Sequence, residues 1–221
     1  MTPNELIANV RSRLGVTGEA TLWDSFILTE LQLAQTKLEG ASTLPHELLK
    51  EKYVTSAVAV ERLQVPTDFL KEYESSALWW VDSNGKFNEL EKGFQDDSRD
   101  YWNQTYTGDD DTEGPRAYSL VGNYFFIYPT PSESYTFRMY YYASDDTLAV
   151  DGAANQWSTY YPDLLMGMAG IEMLLHHGVL VEEKQIALAR FNQMIQESSN
   201  RLITKSVARE MSNMELSFGG G

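Results

Sequence analysis

Residues 78–91, LWWVDSNGKFNELE, decide the fold class. Two strand-like runs, Leu78–Asp82 and Lys86–Glu91, flank Asn84-Gly85, a pair suited to a tight primed turn because both of its central residues take positive φ. The pattern predicts a β-hairpin. A second hairpin follows, with Ala117–Val121 and Tyr124–Tyr128 joined by Gly122-Asn123. Tyr135, Phe137, Met139 and Tyr141 then alternate with Thr136, Arg138, Tyr140 and Tyr142, the period of a strand with one face buried. Upstream, period-two patterning begins after about residue 52. Val54 to Val65 is rich in β-branched residues and closes at Pro66. A short helix is expected around Lys92–Trp102.

Outside this stretch the period changes to that of a helix. Thr2-Pro3-Asn4-Glu5 is a capping box with proline at the first helical position. Leu6, Val10 and Leu14 follow at i, i+4, i+8 until Gly15. A second start, Thr21-Leu22-Trp23-Asp24, leads into Ile27, Leu31, Ala34 and Leu38, ending at Gly40. After Asn155, Pro162 and Asp163 suit a helix start, and Leu164, Leu165, Met168, Ile171, Leu174 and Leu175 make a broad apolar face. Gly167, Ala169 and Gly170 would let another helix approach closely. His176 and His177 precede Gly178, a candidate C′ residue. A final helix is expected over Val181–Ala208, with Leu188, Phe191, Ile195 and Leu202 on one stripe. Arg209–Gly221 lacks periodicity and ends in three glycines. The expectation is an α+β chain: a helical bundle from residues 1–50 and 155–208, an inserted antiparallel β module over 51–154, and an extended C-terminal arm over 209–221.

Composition narrows the function classes. With 43% hydrophobic and 12% aromatic residues in 221, the chain can bury one good-sized core or two small ones. The apolar stretch Leu164–Leu175 is broken by Gly167, Gly170 and Glu172 and is too short to span a bilayer, so no membrane partner is expected. No signal peptide is expected, and the absence of cysteine excludes disulfides and thiolate metal sites. The formal net charge is −15, of which −7 falls between Asp82 and Glu113, where ten acidic residues face three basic ones. Nucleic-acid grip comes from Lys and Arg neutralising phosphates, so sequence-specific DNA binding is not expected. The acidic excess reads as a solvated face.

No catalytic, cofactor or metal constellation stands out. His46, His176 and His177 are the only histidines. Adjacent His176 and His177 point about 100° apart on a helix and cannot share a metal as an i, i+4 pair would, so helix capping is the expectation. Asp109-Asp110-Asp111-Thr112-Glu113-Gly114 matches the opening of a calcium loop, but Leu120 stands where the bidentate acid belongs, which favours a solvated acidic loop. Trp79, Trp80, Trp102 and Tyr106 could stack on sugars, although glycosidase chemistry needs two carboxylates at a defined separation that spacing cannot reveal. Aromatics in strands more often serve a core or an interface.

Several phrases together resemble phage head-to-tail adaptor (connector) proteins of short-tailed and related tailed phages. They are Val10-Arg11-Ser12-Arg13-Leu14-Gly15 with Trp23-Asp24-Ser25-Phe26-Ile27, then Leu44-Pro45 and Val65-Pro66-Thr67-Asp68-Phe69-Leu70-Lys71-Glu72. Gly114-Pro115-Arg116-Ala117-Tyr118, Val121-Gly122 and Ile127-Tyr128-Pro129-Thr130-Pro131 look like the family's central hairpin. Tyr140-Tyr141-Tyr142 before Leu148, and Asn155-Gln156-Trp157 before Tyr161-Pro162-Asp163-Leu164-Leu165, complete the series.

The resemblance implies a structural virion protein with no enzymatic activity, sited at the head–tail junction and assembled in the host cytoplasm. It implies a ring of identical subunits, commonly a dodecamer, docked on the portal protein and meeting a downstream tail or nozzle protein. Genomic DNA would pass through without sequence-specific binding. The β module would face neighbouring subunits and the next tail component, and the C-terminal segment would reach the portal. A segment that orders on contact needs little periodicity of its own. Met211, Met214, Leu216 and Phe218 would be its apolar anchors, the alternative being a frayed tail. A carbohydrate-binding or carbohydrate-hydrolysing tail-associated protein is the competing expectation. An open cleft holding Trp79 or Trp80 beside two carboxylates would favour it.

Overall fold

The computed structural model describes residues 1–16, 20–73, 77–93, 114–177 and 184–218, with the backbone alone for 20–21 and 206–218. The chain mixes helices with antiparallel and mixed sheets, an α+β protein. It divides into two units, Met1–Leu48 with Asp145–Gly221, and Leu49–Ser144.

The first unit is helical. Helix α1 (Pro3–Leu14) starts as its capping box requires: the Glu5 N–H donates to the Thr2 hydroxyl at 3.3 Å, and the Thr2 N–H donates to the Glu5 carboxylate at 2.8 Å. Leu6, Val10 and Leu14 are buried along one stripe, and Gly15 closes the helix at φ 66. Helix α2 (Ala20–Glu39) buries Ile27, Leu31 and Ala34, and a 3-10 turn spans His46–Leu48. The short α3 (Gln156–Tyr160) is capped by Asn155, and α4 (Pro162–His176) follows with Pro162 in its first turn.

Helix α4 carries the core. Leu164, Leu165, Met166, Ala169, Met173 and Leu174 are buried, and α1, α2, α3 and α5 (Lys184–Phe218) all touch it. Its glycines explain how α5 comes so near. A Cβ on Gly167 would lie 2.7 Å from Ile195 Cγ1, and one on Gly170 would lie 2.4 Å from the Phe191 ring. Helix α5 continues through Phe218, beyond the expected end at Ala208, so residues 209–218 are helical and not an extended arm. Arg, Glu, Met and Leu in that segment are good helix formers. Extending an existing helix also avoids the cost of nucleation, which makes periodicity unnecessary.

The second unit is a β-sandwich. Strands β1 (Leu49–Thr55), β3 (Phe69–Glu72), β4 (Leu78–Val81), β5 (Phe87–Glu89) and β9 (Thr136–Ala143) form one sheet. Its hub is β9. All seven residues of β1 pair along one edge of β9, while β3 and β4 divide the other edge, at 141–143 and 136–139. The second sheet runs β2 (Arg62–Gln64), β8 (Tyr124–Tyr128), β7 (Ala117–Val121), β6 (Glu91–Lys92), with β6 parallel to β7. Phe137, Met139, Tyr141 and Ala143 of β9 join Leu78, Leu90, Tyr118, Phe125 and Ile127 in the core between the sheets.

Both hairpins form, with one correction to turn type. Asn84 does not take positive φ, whereas Gly85 does, at 78°. The loop is a three-residue one, Ser83–Gly85, closed by the Asp82 N–H donating to the Lys86 carbonyl. The cause is Asp82, whose carboxylate accepts the Asn84 and Lys86 N–H groups at 2.8 Å each and stabilises this alternative. At the second hairpin the two-residue turn forms, with Gly122 at φ 57. The first strand opens at Leu49, and Val58 and Val60 lie exposed between β1 and β2. Of the helix expected over Lys92–Trp102, Lys92 belongs to β6 and residues from 94 onward fall outside the described residues.

Candidate interaction surface

Alternation along β9 puts Phe137, Met139, Tyr141 and Ala143 inside and leaves Thr136, Arg138, Tyr140 and Tyr142 half-buried on the outer face. Register then sets Tyr53, Arg138, Trp79 and Glu89 side by side across four strands. The guanidinium carbon of Arg138 lies 3.7 Å from the Phe87 ring centroid and 5.0 Å from those of both Trp79 and Tyr140. Trp79 meets Tyr140 edge-on at 5.1 Å, and Tyr73 meets Tyr142 at 6.0 Å. The Nε of Arg138 is buried without a hydrogen-bond partner, and the ring faces around the guanidinium, each worth about 0.5–2 kcal/mol, help to hold the cation. Tyr53 is 54% exposed and Phe87 39%.

Exposed Tyr53 and Phe87 with half-buried Trp79 and Tyr140 around one Arg make the residue mix enriched in protein–protein interfaces and their energetic centres. The patch is only partly legible in the sequence. Trp79 stands out there, whereas Tyr53, Phe87, Arg138 and Tyr140 do not. The signal that could find them is the second phase of residues 135–142: a strand face meant for solvent should be polar, and this one carries two tyrosines and an arginine.

Two ionic clips fix β3 beneath this face. Lys50 Nζ and the Tyr141 hydroxyl donate to the Asp68 carboxylate at 2.8 and 3.0 Å. Desolvation opposes ionisation of Asp68, yet those two donors together outweigh it and hold the carboxyl below its ordinary value. Burial, reinforced by Asp68, pushes the Tyr141 phenol up to about 12. At the other end Glu72 takes an ion pair from Lys92 and a hydrogen bond from the Tyr118 hydroxyl at 3.3 Å. Burial in the core raises the Tyr118 phenol strongly, with Glu72 adding to it.

Trp80 lies elsewhere. Its ring packs edge-on to Tyr135 at 5.3 Å and leaves no room for a Cβ on Gly114, which sits at φ 77. Trp80, Asp82, Ser83, Glu133 and Ser134 line an open depression, so one tryptophan does stand beside two carboxylates. Asp82 is held below its ordinary value, first by the Lys86 N–H, against desolvation.

His176 and His177 lie beside carboxylates. His177 Nε2 lies 2.6 Å from Glu30 Oε1 with its ring 4.9 Å from Phe26, and His176 Nε2 lies 3.2 Å from Glu172 Oε2. His46 begins the 3-10 turn. Among the described residues no His, Cys, Asp and Glu cluster could hold a metal ion, and no helix is long and apolar enough to cross a membrane. Asp109–Glu113, Trp102 and Tyr106 fall outside the described residues, as do the side chains of Met211, Met214, Leu216 and Phe218.

No curated protein matches the sequence. The SU10 adaptor protein family matches residues 1–216, nearly the whole chain. An aromatic sheet face is the kind of surface a structural adaptor uses, and this chain belongs to the SU10 adaptor protein family of phage virion components.

Proposed function

We propose that copies of this adaptor form a ring at the head–tail junction of the virion, a dodecamer as the resemblance implies. The ring would dock on the portal protein, receive a downstream tail or nozzle protein, and help retain and conduct DNA. The observation that carries this is the family match over residues 1–216. The outer face around Arg138 supports it as the lateral contact, because its exposed aromatics would bury apolar area between neighbours. In this division of labour, residues 1–50 and 155–208 pack as a bundle and 51–154 make lateral and downstream contacts. Residues 209–221 engage the portal. The helical backbone through Phe218 supports the last role: positions 211, 214 and 218 fall at i, i+3, i+7, the spacing of a helix-in-groove ligand, whereas position 216 falls on the opposite side of the helix. A net charge of −15 suits a channel that must release DNA.

Co-sedimentation with the cognate portal tests the arm. Full-length protein should be recruited, a version ending at Ala208 should not, and equal recruitment of both would remove the docking role. Tyr53→Asp should leave the monomer folded and abolish rings in electron micrographs of portal-bound complexes. Intact rings from that variant would remove the sheet face as the lateral contact.

A second reading, carbohydrate recognition or hydrolysis at the tail, draws on the depression at Trp80, Asp82 and Glu133. Glycosidic chemistry needs one acid with a raised pKa. Asp82 is shifted the other way and its Oδ1 accepts two backbone N–H groups, which leaves sugar binding as the better-supported part. Glycan-array binding that disappears in Trp80→Ala would establish it, and a blank array would end it.

A further inference from the structure

The later part of α5 is anchored around residues 201–205. Leu202 is buried, and Arg201 donates to Asp163 Oδ2 and to Ser198 Oγ, each at 3.2 Å. One turn on, Lys205 Nζ lies 3.8 Å from Glu47 Oε1 and 5.5 and 5.9 Å from the Tyr161 and Tyr160 ring centroids. The Tyr161 hydroxyl donates to the other Glu47 oxygen at 3.3 Å, so a single carboxylate receives both groups. The side chain of Glu47 is only 15% exposed and Tyr161 is 4% exposed. Thirteen further residues, 206–218, continue the helix. At 1.5 Å per residue they extend about 20 Å from this notch.

We propose that Lys205 is a positioning residue: seated in the notch of Glu47, Tyr160 and Tyr161, it sets the direction of the 206–218 helix that follows it. The inference rests on the proposed role of that segment in portal docking. An exposed ion pair alone contributes little. Here the carboxylate is mostly buried and pre-oriented by Tyr161, and two ring faces add cation–π attraction. A small angular freedom at residue 205 becomes a large displacement at residue 218. Holding the helix in one direction before contact lowers the ordering cost of docking.

The chain has no cysteine, which makes paired spin labels straightforward. Labels at Ser12→Cys and Ser212→Cys in the full chain should give a narrow distance distribution. Lys205→Met should broaden it about twofold, Glu47→Gln should broaden it similarly, and Lys205→Arg should restore the narrow form because guanidinium keeps the charge and stacks on rings. A control pair, Ser12→Cys with Asn192→Cys, should stay narrow throughout, showing that the packed part of α5 is intact. Unchanged width at residue 212 in both Lys205→Met and Glu47→Gln would overturn the inference. So would broadening that Lys205→Arg fails to reverse. Because the measurement needs no portal, it is separable from the truncation test: loss of portal recruitment can fail while the notch stands, and the reverse.

Discussion

The seam between α4 and α5 and the outer face of the five-stranded sheet are opposite answers to the same problem. At the seam, glycines remove side chains so that Phe191 and Ile195 can sit against backbone, and the contact is closed. On the sheet face, large aromatics gather around Arg138 and stay half open, with Tyr53 and Phe87 well exposed. A closed seam stabilises the subunit that contains it. An open aromatic face has less to contribute within that subunit, and the role proposed for it is assembly. On that proposal stability and assembly are written in different residues, and substitutions should separate them.

The largest effect belongs to the seam. Phe191 is 2% exposed and lies over Gly170, so Phe191→Ala removes a buried ring from a site too tightly shaped to collapse. Denaturant unfolding should show a loss of about 3–5 kcal/mol. Gly170→Ala attacks the same contact from the other side by forcing a methyl into the ring, with an expected cost of about 1–3 kcal/mol. If Gly170→Ala matches the parent in the same titration, the close approach is not rigid, and the contrast with the sheet face weakens.

That seam is legible in the sequence because glycine weakens a helix, so glycines within an apolar helical stripe point to a neighbour packed against the backbone. The capping box at Thr2 and the β9 alternation are equally readable, each depending on residues within a few positions. What escapes a reading of the sequence is set by long-range pairing or by propagation. The Asn84-Gly85 turn departs from the primed type because the Asp82 carboxylate chooses the loop. The helical course of 209–218 departs from an extended arm because propagation from a formed helix needs no stripe of its own. The aromatic patch depends on strand register: only when β1, β4, β5 and β9 align do Tyr53, Trp79, Phe87 and Arg138 meet. The clips on β3 are of the same kind, joining Lys50, Asp68 and Tyr141 across strands distant in sequence.

Those clips give an intermediate effect with a pH signature. Asp68 has a folded pKa below its ordinary value of 3.8, so the folded state binds fewer protons and the clip contributes fully above that value. Its contribution fades as pH falls through the folded pKa, and Asp68→Asn should remove that part of the acid slope in unfolding titrations run between about pH 2.5 and 6. Tyr141 behaves oppositely. Its phenol is raised from 10.0 to about 12, so its contribution is present below 10 and lost as pH rises through 12. Tyr141→Phe should cost about 1 kcal/mol at neutral pH and flatten both limbs. An acid slope unaltered in Asp68→Asn would mean that the Lys50 and Tyr141 contacts do not persist in solution.

The smallest effect on stability is expected on the open face, and there the contrast is sharpest. Tyr53 sits on the edge strand β1, 54% exposed, so truncating it or charging it removes little buried area. Tyr53→Asp should shift the unfolding free energy by no more than about 0.5 kcal/mol. Position 53 faces Arg138 in the register, so the new carboxylate gains a cation in place of a ring, which limits the loss further. If the subunit instead loses about 2 kcal/mol or more, a cost typical of a packed position, Tyr53 is part of the sandwich's own packing. The division between a closed seam for folding and an open face for assembly then fails at the residue chosen to represent it.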